Sequence, residues 1–345
     1  MKTMTRLYAI DNLRVTLTVL VVVHHVALTY GNIPLWYYTE PAQDPSGAVL
    51  DILVSFNQAF FMGAFFLISG FFTPGAYDRR PQTFLKERLK RLGIPLLVYL
   101  LLLRPLATIG IYRQQGDLPY WKFYLGSWDP GPMWFVEVLL VFAALYALWR
   151  STGRQVEARE APLTTKAIVL FTAGLAVVTA LWRVLVPIDT YVPVLGLPTP
   201  AYLPQYASLF AVGVLAARRG WYESLPRRAG WIGFAVTGAV TVALLPFLGN
   251  PVAHAVWDST FAVGMILGLV VLFRERFTGE HRFLSDQAYA VYIIHPLVLV
   301  AVGYALSGWE AAAIVKFAVA AVICVPLCWG VAYLVRSLPG AKSVV

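Results

Sequence analysis

Arg14 and His25 are the first residues of this chain whose types and spacing suggest chemistry. They stand eleven residues apart in an otherwise apolar stretch. On a helix that spacing is 1100°, about 20° from a common azimuth, with a rise of about 16 Å. Arg14 would lie near one mouth of such a helix, with His25 deeper along the same face. His24 lies about 100° round and faces another neighbour. Two readings stay open: a functional pair, or an arginine that snorkels beside a histidine satisfied by an interhelical hydrogen bond.

Other polar residues recur in similar settings. Asn57 and Gln58 close to one end of the second apolar run either line a cavity or simply pack, and Ser69 follows among Gly63, Ala64 and Gly70. Small residues of this kind let helices approach closely. Arg88 and Arg91 share a helix face three residues apart, with Lys90 beside them. Arginine forks match phosphate bidentately, whereas anionic-lipid anchoring is the plainer use of such a cluster. Glu137 and Asp258 open two further apolar runs, either facing inward or resting at the interface. His295 precedes Pro296, which breaks a helical ladder and frees carbonyls that the histidine could satisfy. Cys324 and Cys328, the only cysteines, read as helix packing, and the five histidines show no metal-ligand spacing, so no metal is expected.

The elements that must position these residues follow from composition. Of 345 residues, 59% are hydrophobic and only 13% charged. Soluble domains carry about a quarter charged residues, so an ordinary cytosolic enzyme and a disordered scaffold are both excluded. Ten windows are apolar enough to cross a bilayer: 12–30, 50–73, 92–112, 133–149, 166–187, 201–217, 230–248, 257–273, 288–306 and 311–334. Of the 27 basic residues, 21 then fall in alternate loops and the two ends, two fall on the other side, and four (Arg14, Arg104, Arg183, Lys316) lie within spans. The positive-inside rule puts both ends in the cytoplasm and explains the net charge of +9 without nucleic acid. The expectation is a single all-α polytopic membrane domain over residues 1–345, with about ten transmembrane helices. The first span continues to Tyr30 with no cleavage site and is read as a helix that stays, not a signal peptide.

Taken in order, these segments resemble the membrane-bound acyltransferase-3 family, within it the branch of the glucan biosynthesis protein C acyltransferases. The resemblance rests on Asp11-Asn12-Leu13-Arg14 with His25, which matches the family's arginine–ten residues–histidine signature. It extends through Phe65-Phe66-Leu67-Ile68-Ser69-Gly70-Phe71, the basic stretch Phe84 to Arg91, Trp134-Phe135-Val136-Glu137 and Tyr292-Ile293-Ile294-His295-Pro296. It implies a bacterial inner-membrane enzyme that moves an acyl group, typically from acetyl-CoA, to a hydroxyl of a cell-envelope glycan or exported small molecule. No tightly bound cofactor is implied, since acyl-CoA acts as co-substrate. The partners are then acyl-CoA, the acceptor and the bilayer, with a homo-oligomer compatible. Some relatives carry a soluble hydrolase-like domain after the membrane part. None follows here, so a two-enzyme relay would need a separate protein.

On this resemblance His25 and Arg14 take the catalytic positions. Arg88, Arg91 and Lys90 would hold the CoA phosphates, and an extended pantetheine of about 15–20 Å would match the Arg14–His25 rise. His25 would act as general base, or carry the acyl group transiently, with Glu137 orienting it or the acceptor. Asn57, Gln58, Ser69, Asp258 and His295 would line the acceptor side. The rival is a proton-coupled transporter that uses His25, Glu137 and His295 as a relay.

Overall fold

The computed structural model describes residues 7–115, 118–154, 157–193 and 195–345. Lys2, Arg6 and Asp117, which entered the charge reading, lie outside the described residues. Among those described, the chain is helical and has no β-strand. Among the described residues, nine helical segments are long and apolar enough to cross a membrane. They contain α1 (Tyr8–Tyr30), α2 (Gly47–Arg79), α3 (Phe84–Gln114), α4 (Trp134–Ser151), α5 (Thr165–Leu185), α7 (Arg227–Leu244), α8 (Pro251–Arg276), α9 (Arg282–Leu306) and α10 (Ala313–Ser337). The protein is an integral multi-pass membrane protein.

The sixth expected window departs from the other nine. It forms α6 (Leu203–Arg219), a helix of 17 residues. That gives about 25 Å of rise, short of the roughly 30 Å hydrocarbon core. Pro204 in its first turn and Gly220, left-handed at φ 67°, fix its two ends. The third window departs the other way. Helix α3 begins at Phe84 rather than 92, so Arg88, Lys90 and Arg91 occupy its first turns instead of a preceding loop. Buried Phe84 anchors that start.

The centre of the bundle is set by burial. The apolar window of α9 is 67% buried and those of α1 and α8 61%, whereas that of α7 is 17% buried and faces outward. Helices α2 and α6 pack backbone to backbone. A Cβ on Gly70 would sit 2.1 Å from the Phe210 carbonyl oxygen, and one on Gly213 2.1 Å from that of Leu67. The small-residue stretch of α2 therefore serves close packing, and Ser69 alone of its polar groups turns to a cavity.

The segment between α1 and α2 is tied down at several points. Asp44 Oδ2 accepts the Ala313 N–H (2.8 Å) and Ser46 Oγ the Ile314 N–H (3.0 Å), which caps α10 from a distant loop. Hydrogen bonds from Ser46 and then from Ala313 hold the Asp44 carboxyl below its ordinary range. Glu40 pairs with the buried Lys316. Tyr99 donates to the Tyr37 hydroxyl at 2.9 Å. Gly131 (φ 50°) passes so close that a Cβ there would lie 1.8 Å from the Tyr37 oxygen. Asp129 fixes that turn by accepting the Gly131 N–H (2.6 Å) while pairing with buried Arg104 (3.1 Å).

Candidate active site

A cavity of about 400 Å³ opens at the basic end of the bundle. Arg14, Arg88, Arg91, Arg336 and Lys342 line it, and none of its lining side chains is acidic. Deeper in, Met62, Phe65, Phe135 and Leu139 make an apolar wall, beside Thr18, Ser69 and Tyr292. Each cation is set by its helix. Arg14 leans on Asp11 (3.3 Å), one turn back. Arg88 stacks on Phe84, 5.3 Å from its ring. Pro95 has no N–H to give the Arg91 carbonyl four residues earlier, and the Tyr289 hydroxyl donates to that oxygen at 3.0 Å. Lys90, exposed, is not among the lining residues. The expected cluster therefore contributes its two arginines.

His25 lies seven residues beyond Thr18 on α1, about 10.5 Å further along the axis, outside the cavity lining. Its ring sits 4.9 Å from that of His295 and 4.1 Å from that of Trp36. His25 Nδ1 is 2.8 Å from the Val21 carbonyl and His295 Nδ1 is 2.7 Å from that of Tyr292. A carbonyl only accepts, so Nδ1 carries the proton in both rings and Nε2 is the free lone pair. The Tyr292 carbonyl is the one that Pro296 leaves without its helical N–H, so the broken ladder fixes the tautomer of His295. His295 is fully buried and its Nε2 has no partner among the described residues. Trp36 Nε1–H is likewise without one. His24, about 100° round the helix, packs on Phe61 (5.0 Å).

The other expected site residues divide. Glu137 is half-buried and lies within electrostatic range of Tyr292, but among the described residues no hydrogen bond joins it to His25. The groups that orient His25 are the Val21 carbonyl and the Trp36 ring. Gln58 donates to Tyr206 (2.9 Å), which also meets Thr199 (3.0 Å). Asn57 is buried, and its Nδ2 has no partner among the described residues. Asp258 belongs elsewhere: Arg183 holds it at 2.5 Å, His254 stands 3.6 Å away, and Tyr202 lies under the guanidinium. Four contributors escaped the sequence reading as site residues: Trp36, Tyr289, Arg336 and Lys342.

Fold and site together define a polytopic membrane protein with a cationic cavity mouth and a pair of histidine rings in contact inside the bundle. A family model described as an acyltransferase domain, Acyl_transf_3, matches residues 7–333. The chain belongs to the acyltransferase-3 family. No curated protein and no solved structure matches it.

Proposed function

We propose that the protein transfers an acyl group, acetyl from acetyl-CoA, to a hydroxyl of a carbohydrate or other small envelope or exported acceptor. The observation that carries this is the cavity itself: five cations at its mouth, an apolar depth, and the Arg14 face of α1 leading from it toward His25. The donor's phosphates sit among Arg88, Arg91 and Arg14, and its thioester arm extends inward past Thr18 and Tyr292. His295, three residues beyond Tyr292, is about one turn from the cavity's inner end.

In the chemical step the acceptor oxygen attacks the thioester carbonyl while His25 Nε2 takes the hydroxyl proton. The C–O bond forms, the C–S bond breaks, and the imidazolium returns its proton to the departing thiolate. His295 Nε2 accepts a second hydrogen bond from the acceptor, and Trp36 Nε1–H supplies a donor to the oxyanion. Glu137, Asn57, Gln58 and Ser69 belong to the acceptor side or the passage toward it. Asp258, sealed against Arg183, belongs to the frame. The glucan biosynthesis protein C-like branch, a bacterial inner membrane and cytoplasmic chain ends complete the reading. The test is transfer of labelled acetyl from acetyl-CoA to a panel of sugar and small-molecule alcohols by the purified protein. A His25→Ala variant that transfers at the wild-type rate would remove the general base.

A further inference from the structure

Lys316 is one of the four cations that fall within the expected spans, and packing alone does not ask for it. It sits in the first turn of α10, the end of a helix whose dipole disfavours a cation, with its side chain only 6% exposed. An apolar residue of similar length would bury there without the cost of desolvating a charge. Its partner, Glu40, comes from the irregular segment that joins α1 to α2.

Glu40 is the point at which that segment is gripped. Its N–H donates to the Thr29 carbonyl in the last turn of α1 (2.7 Å). One carboxylate oxygen takes Lys316 Nζ, and the other accepts from the Tyr38 hydroxyl (3.2 Å). Tyr38 packs on Tyr304 of α9 (4.5 Å) and lies across Gly303, where a Cβ would come within 2.5 Å of its ring. One acidic residue thus joins α1, α9 and α10. The Thr29 hydroxyl in turn donates to the His25 carbonyl (3.0 Å), so the clamp closes on the turn that carries His25. Trp36 lies four residues before Glu40, its ring 4.1 Å from that of His25 and 5.9 Å from that of His295. Among the described residues, 36–39 make no main-chain hydrogen bond. Trp36 is therefore placed by its flanking anchors, the Tyr37–Tyr99 contact and the Glu40 clamp.

We infer that Lys316, acting through Glu40, is a positioning residue: the ion pair fixes the segment in the register that seats Trp36 against the two histidines. The inference rests on the acyl-transfer reading, in which Trp36 Nε1–H meets the oxyanion. Loss of the pair leaves the histidines and the cationic cavity in place, so its cost falls on turnover and not on donor binding.

The test is a double-mutant cycle between Lys316→Met and Trp36→Phe in the full-length protein in detergent. Lys316→Met keeps a long apolar chain, and Glu40, 31% exposed, can pass its charge to water. It should lower kcat about tenfold while coenzyme A affinity stays within about twofold of wild type. In the Trp36→Phe background the same change should lower kcat by less than about twofold more, because the two act as one unit. Lys316→Arg, which keeps the charge, should hold kcat within about threefold of wild type. Fully additive losses, or a loss of donor affinity as large as the loss of kcat, overturn the inference. A second readout needs no activity: Trp36→Cys should react with a water-soluble maleimide at least about fivefold faster once Lys316→Met is added. Cys324 and Cys328 are buried and give a low background. Unchanged labelling overturns the clamp and leaves the acyl-transfer reading standing. If folded wild type transfers no acyl group to any acceptor, that reading falls and the catalytic role of Lys316 with it.

Discussion

Two groups of charges inside or at the edge of this membrane domain are handled in opposite ways. Arg183 and Asp258 are sealed between α5 and α8, 2.5 Å apart, with both side chains almost wholly buried. The cations at the basic mouth line an open cavity with no acidic side chain in its wall. In the first group each charge cancels the other and a surface of low dielectric encloses both, so neither is available to a ligand. In the second, the cations line open space that an anion can enter. The difference teaches that an intramembrane charge is not by itself a functional residue. What matters is whether its partner is already in the fold.

The contrast can be broken by experiment. The largest effect should come from neither group but from the step between them: His25→Ala is expected to lower acyl transfer by about 10²–10⁴-fold with the melting temperature unchanged, measured as labelled product per enzyme. Trp36→Phe, which keeps the ring and removes the N–H, should lower kcat by about 10²-fold with little change in donor affinity. Asp258→Ala leaves Arg183 buried without its counterion, and should cost about 3–5 kcal/mol of stability in detergent melts. Donor affinity in whatever protein stays folded should be untouched. If Asp258→Ala weakened the donor instead, the division between frame and site would be wrong. Arg88→Ala alone should do the reverse, weakening coenzyme A about 10–100-fold with no loss of stability, since a charge-assisted hydrogen bond is worth about 1.5–3 kcal/mol. Lys90→Ala, outside the cavity lining, should change affinity less than about twofold, and a larger loss would return Lys90 to the site.

Much of the site was legible because helical periodicity is exact enough to project. Arg14 and Thr18 face the cavity, and His25 follows at the expected azimuth with His295 against it. Arg88 and Arg91 share a face as three-residue spacing requires, and the same rule leaves Lys90 off it. Periodicity does not reach across helices. Nothing in the spacing of Glu137 showed that Val21 and Trp36, not this carboxylate, would hold His25. Asp258 and Asn57 looked alike as outer polar residues until α5 brought Arg183 to the first. The sixth window also shows a limit. Its apolar length sufficed on paper, but Pro204 and Gly220 ended the helix early, and such caps act locally whatever the surrounding hydropathy.

The sequence by itself determined the membrane class, the family, and the face of α1 that carries Arg14 and His25, because these depend on composition and on the fixed geometry of one helix. Only the tertiary structure decided which charges are neutralised, which nitrogen of each histidine is free, and that the end of α10 joins the start of α3 around α9. Those outcomes depend on contacts between residues tens to hundreds of positions apart, and one-dimensional order carries no measure of that distance. The pairing of His25 with His295, 270 positions away, is set by the packing of α1 on α9 and by the carbonyl that Pro296 leaves free.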